Sequence, residues 1–196
     1  MKWLKKFYLF ENIDTSDFIV YHRTNIDAVK SIFKNGFIVG GGNNVYGEGV
    51  YTTYDLESQM LPKMLSYGDT IIESKVLSLD NFIIFDDKIS KKLYGETSLE
   101  NQFKRVFSKK WNMYKNDEDL KRMLSGDPED LRLGIIRLDP VKYFVLTGRK
   151  KEYFNDIKGI IYNNSGCLCL VSFDPNNLIP IRYTNNEAIS WLDFNV

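Results

Sequence analysis

His22, the only histidine of this chain, and Tyr51, which follows Gly47 and Gly49, fall in one stretch, YHRTNIDAVKSIFKNGFIVGGGNNVYGEGVYTTY. A neutral imidazole offers one hydrogen-bond donor and one acceptor, and a phenol ring offers a flat apolar face with a polar tip. Glycines beside the tyrosine let another group approach the backbone closely. The pattern predicts a cleft that grips a planar ring, with His22 and Tyr51 on its floor. The glycine-rich run Gly40 to Asn44 is expected to be a loop that lies over this cleft; no Lys-Ser/Thr pair follows it, so it lacks the sequence of a phosphate-binding P-loop.

The elements that must position these two residues follow from local pattern. Phe18 to His22, FIVYH, reads as a buried strand, because β-branched and aromatic residues cluster there. The helix after it has Thr24 or Asn25 as N-cap, an apolar stripe of Ile26, Val29, Ile32 and Phe33, and Gly36 as a left-handed stop. Gly49 to Thr53 reads as a short strand, and Asp55 to Leu65 as a helix that Pro62 interrupts. Thr70 to Val76 and Phe82 to Phe85 are further strands. From Thr97 to Leu133 the pattern turns helical: Thr97 and Glu100 form a capping box, Phe103, Val106, Phe107 and Trp111 form an apolar stripe, and Asp127-Pro128 restarts a helix. The charges of Lys115 to Arg122 alternate in sign, as on a solvated face. Four β candidates close the chain: Tyr143 to Leu146, Gly159 to Tyr162, Leu168 to Phe173 and Ile179 to Tyr183. Strands flanking a helical insertion predict an α+β domain in two small packed sheets, one domain over residues 1–196 with the insertion at about 97–133.

Composition narrows the function classes. A chain of 196 residues that is 43% hydrophobic can build one real core. Lys plus Arg and Asp plus Glu each number 26, so no whole-chain charge points to nucleic acid or acidic lipid. Cys167 and Cys169 stand two apart in an apolar run, where strand geometry puts both on one face in poor alignment for a disulfide, and no cysteine-based metal site is expected. The start, MKWLKKFYLF, lacks the unbroken apolar run of a secretory signal, and no later stretch approaches membrane-spanning length. The expectation is a soluble, cytoplasmic protein without membrane partners.

With these residues in view, YHRT, a helix and then YGEGVYTTYDLESQ resemble the first half of the ADP-ribosyltransferase fold in its PARP- and diphtheria-toxin-like branch. That branch carries a His-Gly-Ser/Thr strand followed by a Tyr-Gly-x-Gly-Ile-Tyr strand. CLCLVSFDPNNLIPIRY is similar to the family's final strands, including the aromatic-Asp-Pro turn. The middle helical segment has no counterpart. The resemblance implies a split pair of antiparallel β-sheets with flanking helices that binds NAD, the substrate, in the cleft between the sheets. It implies that His22 bonds the ribose of the adenosine half, with Thr24 beside it. It also implies that the backbone at Arg23 and Gly49 lines the site and that Tyr51 stacks on nicotinamide. Arg23 departs from the family's glycine, so its side chain must point away or meet a phosphate. Tyr67 or Tyr54 forms the other wall of the nicotinamide slot.

The larger departure is a missing acid. The family's glutamate on the late strand falls here on Cys169, or on Cys167 if the register slips. A neutral thiol cannot stabilise developing positive charge as a carboxylate does. Glu48, Gln59, Asp69 and Glu73 are possible substitutes. The implied activity is mono-ADP-ribosyl transfer to a protein or nucleic-acid acceptor, as in toxins or phage effectors of this fold. The alternatives are a catalytically silent NAD- or ADP-ribose-binding module and an RNA 2′-phosphotransferase. The last needs a set of arginines around its cleft, whereas Arg23, Arg105, Arg132, Arg137, Arg149 and Arg182 are scattered along the sequence.

Overall fold

The computed structural model describes residues 18–39, 48–95, 98–125, 152–164 and 166–185. Strand β1 (Ile19–Thr24) leads into helix α1 (Ile26–Asn35). Of the two possible caps, Asn25 is the one used, its side chain accepting from the Ala28 amide at 2.8 Å, and Gly36 stops the helix at φ 82°. After β2 (Val50–Thr53), the predicted break at Pro62 yields two short helices, α2 (Leu56–Gln59) and α3 (Pro62–Leu65). Strands β3 (Thr70–Val76) and β4 (Phe82–Ile84) follow. Helix α4 (Asp87–Tyr94) lies where the sequence pattern predicts none; it is capped by Asp86 and closed by Gly95 in the left-handed conformation, φ 70°.

The helical insertion comprises α5 (Leu99–Phe107), α6 (Trp111–Tyr114) and α7 (Glu118–Ser125). The capping residue of α5 is Ser98, whose hydroxyl accepts from the Asn101 amide, so the helix starts one residue later than a Thr97 capping box requires. Strands β5 (Gly159–Asn164), β6 (Cys167–Ser172) and β7 (Leu178–Asn185) complete the fold. The Asp-Pro turn between the last two is a single 3-10 turn, with Asp174 accepting from the Asn176 amide at 3.1 Å. The expected loop at Gly40 to Asn44, the helix start at Asp127-Pro128 and the strand at Tyr143 to Leu146 lie outside the described residues. No helix among the described residues is long and apolar enough to cross a membrane.

The seven strands of the described residues join one sheet, in the order β4-β5-β6-β2-β1-β3-β7, where the sequence pattern predicts two small packed sheets. It is mixed, because β4 and β5 run parallel while every other neighbouring pair is antiparallel. Alternate residues of β4, β5 and β6 divide between two cores, which is why these strands are apolar on both faces. Ile83, Ile160 and Val171 pack under the insertion with Phe103, Phe107 and Tyr114. Ile84, Ile161 and Leu170 pack on the other face with Val29 of α1 and Ile89 of α4. Gly159 is fixed by this packing, since a Cβ there would lie 2.2 Å from the Phe82 ring.

The sheet is narrowest at its middle. β1 and β3 pair at six positions and β2 and β6 at four, but β1 and β2 pair only at Tyr21–Thr53.

Candidate functional site

That narrow joint makes the site. The Val76 amide donates to the Phe18 carbonyl at 2.9 Å, and the Tyr54 amide donates to the Leu168 carbonyl at 2.9 Å. Hydrogen-bonded positions alternate along an antiparallel strand, so the main-chain groups of Tyr21 and Arg23 turn from β3 toward β2, and those of Tyr51 and Thr53 turn toward β1. The Tyr21–Thr53 rung forms. The next rung would join Arg23 to Tyr51, and there the strands part.

His22 reaches across this gap. Its Nδ1 lies 2.8 Å from the Tyr51 carbonyl oxygen. A carbonyl only accepts, so Nδ1 carries the proton, and in the neutral ring Nε2 is then an acceptor. Among the described residues Nε2 has no hydrogen-bond partner. Burial pushes the His22 pKa below the ordinary histidine value, with the bond to Tyr51 opposing in part. The ring packs edge-on against Phe37, 5.5 Å between centroids, on the α1 side of the sheet. Tyr51, one of the residues packed against the insertion-side core, approaches from the other face.

A cavity of about 590 Å³ occupies the gap. That is within the size range of small-molecule sites. His22, Thr24 and Phe37 line it from the α1 side; Tyr51, Cys167 and Cys169 line it from the other. Every residue assigned to the site from sequence, His22, Arg23, Thr24, Gly49, Tyr51 and Tyr67, lines this cavity. Tyr67 stands at the surface, 66% exposed. Tyr54 instead packs on Phe18, ring centroids 5.1 Å apart, and does not line the cavity. Gly49 owes its glycine to β6, since a Cβ there would lie 2.5 Å from Val171 Cγ1.

Compared with family models, curated proteins and solved structures, the chain matches none. The geometry of the cavity therefore carries the functional argument.

Arg23 lines the cavity, and its guanidinium is held by groups of the segment that follows β2. Its Nε donates to the Gln59 carbonyl at 2.9 Å, Nη1 to the Gly68 carbonyl at 2.9 Å, and Nη2 meets the Met60 sulfur at 3.5 Å. Burial lowers its pKa and nearby Asp69 opposes that, yet a guanidinium stays charged at any physiological pH. Arg23 thus fastens the α2–α3 wall to β1. Gly68 permits the closeness, since a Cβ there would lie 2.3 Å from the Thr24 carbonyl carbon.

Of the four substitutes considered for the missing acid, only Gln59 reaches the cavity. Glu48 and Asp69 are exposed elsewhere, and Glu73 pairs with Arg182 at 2.8 Å. Gln59 is 1% exposed, and its amide nitrogen donates to the Tyr21 carbonyl at 2.9 Å and to Thr53 Oγ1 at 2.8 Å. It therefore grips both strands of the single rung. Its Oε1 has no partner among the described residues. No sequence signal marks this role, because neither the register nor the approach of α2 to the rung is visible in a local pattern. Among the described residues no carboxylate lines the cavity. At the acid's expected place stand Cys167, buried, and Cys169, partly open, neither of them in a disulfide.

Proposed function

We propose that this chain is a mono-ADP-ribosyltransferase that takes NAD in the cavity between β1 and β2 and passes ADP-ribose to a protein or nucleic-acid acceptor. The observation that carries this reading is the convergence of His22 and Tyr51, in strand–helix–strand order, on one cavity. The joint of one rung supports a split-sheet architecture, with the substrate where the halves separate.

His22 Nε2 accepts from a hydroxyl of the adenosine ribose, and the Thr24 hydroxyl lies beside it. The main-chain groups of Arg23 face the nicotinamide amide. Tyr51 stacks on the nicotinamide ring, and Tyr67 closes the other wall. Breaking the bond from nicotinamide to ribose passes through an oxocarbenium-like state, so a held ring and a fixed ribose supply orientation before any acid acts. The absence of a carboxylate from the described lining spares the pyrophosphate a like-charge neighbour.

A second reading, an NAD- or ADP-ribose-binding module without turnover, is favoured by that same acid-free lining. RNA 2′-phosphate transfer is not, since Arg23, the only described arginine on the cavity, spends its guanidinium on carbonyl groups. Nicotinamide release from labelled NAD, with and without cell extract, tests the enzyme. The rate is expected to fall at least about tenfold in Tyr51→Ala, the loss of a stacking contact worth about 1.4 kcal/mol. An equal rate in the wild type and in a His22→Ala, Tyr51→Ala double variant refutes it. Calorimetric NAD binding without release selects the module.

A further inference from the structure

We propose that Gln59 reads the carboxamide of the ring held in the cavity: its side-chain oxygen takes an N–H of that carboxamide, so the site selects nicotinamide over rings that carry a ketone or a carboxylate in its place. This rests on the NAD-binding function proposed above and names a specificity-determining residue for it.

The orientation of the Gln59 amide argues for it first. A side-chain amide can be turned end for end, and its neighbours decide which way it lies. The Tyr21 carbonyl only accepts, and the Thr53 hydroxyl spends its proton on the Asp55 carbonyl, so both require a donor from Gln59. The NH2 group therefore faces the two strands, one proton for each, and Oε1 is the end left over. That oxygen has no partner among the described residues, in a side chain that is 1% exposed and lines the cavity. Solvent barely touches it, so bulk water does not meet its need. An unmet buried acceptor is costly, and a ligand N–H satisfies it.

Position argues next. Gln59 grips the Tyr21–Thr53 rung, the last before β1 and β2 part. Tyr51 stands two residues from Thr53 on β2, a step of about 7 Å. A ring stacked on Tyr51 thus carries its substituent toward the groups that Gln59 holds. The residue is also fixed in place: Asp55 caps α2 by accepting from the Ser58 amide at 2.6 Å, and Arg23 Nε holds the Gln59 main-chain carbonyl at 2.9 Å. A reading group must be preorganised in this way to discriminate.

The chemistry of the substituent follows. His22 and Gln59 are each made an acceptor by giving a proton to a carbonyl of the joint, Tyr51 for His22 and Tyr21 for Gln59. A carboxamide brings a donor to Oε1. A methyl ketone brings none and leaves the oxygen unmet, and a carboxylate sets one acceptor against another. Sites built to hydrogen-bond an N–H reject analogues that lack it, because their own buried group is then left unpaired.

The test is calorimetry of the full chain with NAD and with three analogues that differ only in the ring substituent: thionicotinamide, which keeps the NH2, 3-acetylpyridine, which replaces it by methyl, and nicotinic acid. NAD and the thionicotinamide analogue are expected to bind alike, the acetylpyridine analogue about tenfold or more weakly, and the nicotinic acid analogue more weakly still. In Gln59→Leu, checked for folding by thermal unfolding, the ratio of NAD to acetylpyridine affinity shrinks; a merely structural role lowers both affinities together and leaves the ratio unchanged. A measurement on the wild type needs no variant. Gln59 and Gln102 are the only glutamines, so a chain labelled with carbon-13 at the glutamine side-chain carbonyl gives two signals. NAD is expected to move the Gln59 signal downfield and the acetylpyridine analogue to leave it in place. Gln102, whose amide bridges the main-chain groups of Ile84, is the internal reference. NAD binding without a shift at Gln59, equal affinity for NAD and the acetylpyridine analogue, or an unchanged ratio in folded Gln59→Leu overturns the reading of the carboxamide and leaves the cavity's proposed function standing. No NAD binding at all overturns both.

Discussion

The single histidine makes one pH prediction unusually clean. Burial depresses the folded His22 pKa. Between that value and the ordinary value of about 6.5, the unfolded chain binds a proton that the folded chain refuses. Stability is therefore complete above about 6.5 and falls as the pH drops through the window. From pH 7 to pH 5.5 the loss reaches at most about 1.3 kcal/mol, the full cost of charging one unfolded histidine while the folded one stays neutral. For a chain of this length that is a Tm shift of about 3–5 °C. No second histidine confuses the assignment.

The measurement is urea unfolding at several pH values for the wild type and two variants. In His22→Asn the side-chain amide takes the place of Nδ1 and still donates to the Tyr51 carbonyl, but does not titrate. Its stability at pH 7 stays near the wild type and its slope across the window vanishes. In His22→Gln the amide takes the place of Nε2, so the Tyr51 carbonyl loses its donor at a cost of about 1 kcal/mol. The same slope in wild type and His22→Asn, or a wild type that gains stability on acidification, refutes the burial argument.

Three further perturbations test the frame around the cavity. Arg23→Met leaves the Gln59 and Gly68 carbonyls without their charged donor, and two such bonds predict a loss of about 3 kcal/mol in denaturant unfolding. Gly68→Ala forces a Cβ onto the Thr24 backbone at φ 137°, so a drop in stability of about 3 kcal/mol is expected from the same assay, together with weaker ligand binding. Gln59→Glu sets a buried carboxylate against the Tyr21 carbonyl and against a Thr53 hydroxyl whose proton goes to Asp55; a loss of about 3 kcal/mol at pH 7 that shrinks on acidification is the expected unfolding result.

What the sequence discloses and what it hides divide along a physical line. Strand β1, helix α1 and strand β2 are legible because their signals are local: an apolar run, an asparagine cap, a left-handed glycine. Thr70–Val76 is read to the residue for the same reason. Helix α4 has equally good caps, but its apolar stripe is little more than Ile89 and Leu93, too short to stand out from its lysines. Sheet connectivity is a different matter. The parallel pairing of β4 with β5 and the joining of all strands into one ladder depend on register between segments far apart in the chain. His22 and Tyr51 were legible as partners, but the contact itself was not: imidazole meets the tyrosine's carbonyl rather than its ring.

The cavity and the weakness of the sheet are one feature. An antiparallel pair that continued past Tyr21–Thr53 would join Arg23 to Tyr51 by backbone bonds and close the gap. Here a side chain makes the link instead, and an imidazole is wider than a peptide amide, so β1 and β2 stand apart where His22 bridges them. An open joint with one rung needs other ties. Gln59 supplies one by binding Tyr21 and Thr53 together, and Arg23 holds the Gln59 carbonyl in place from β1. The proton that His22 commits to Tyr51 also fixes Nε2 as an acceptor, so the bond that keeps the sheet open decides what kind of group the cavity can receive there: a donor, such as a hydroxyl.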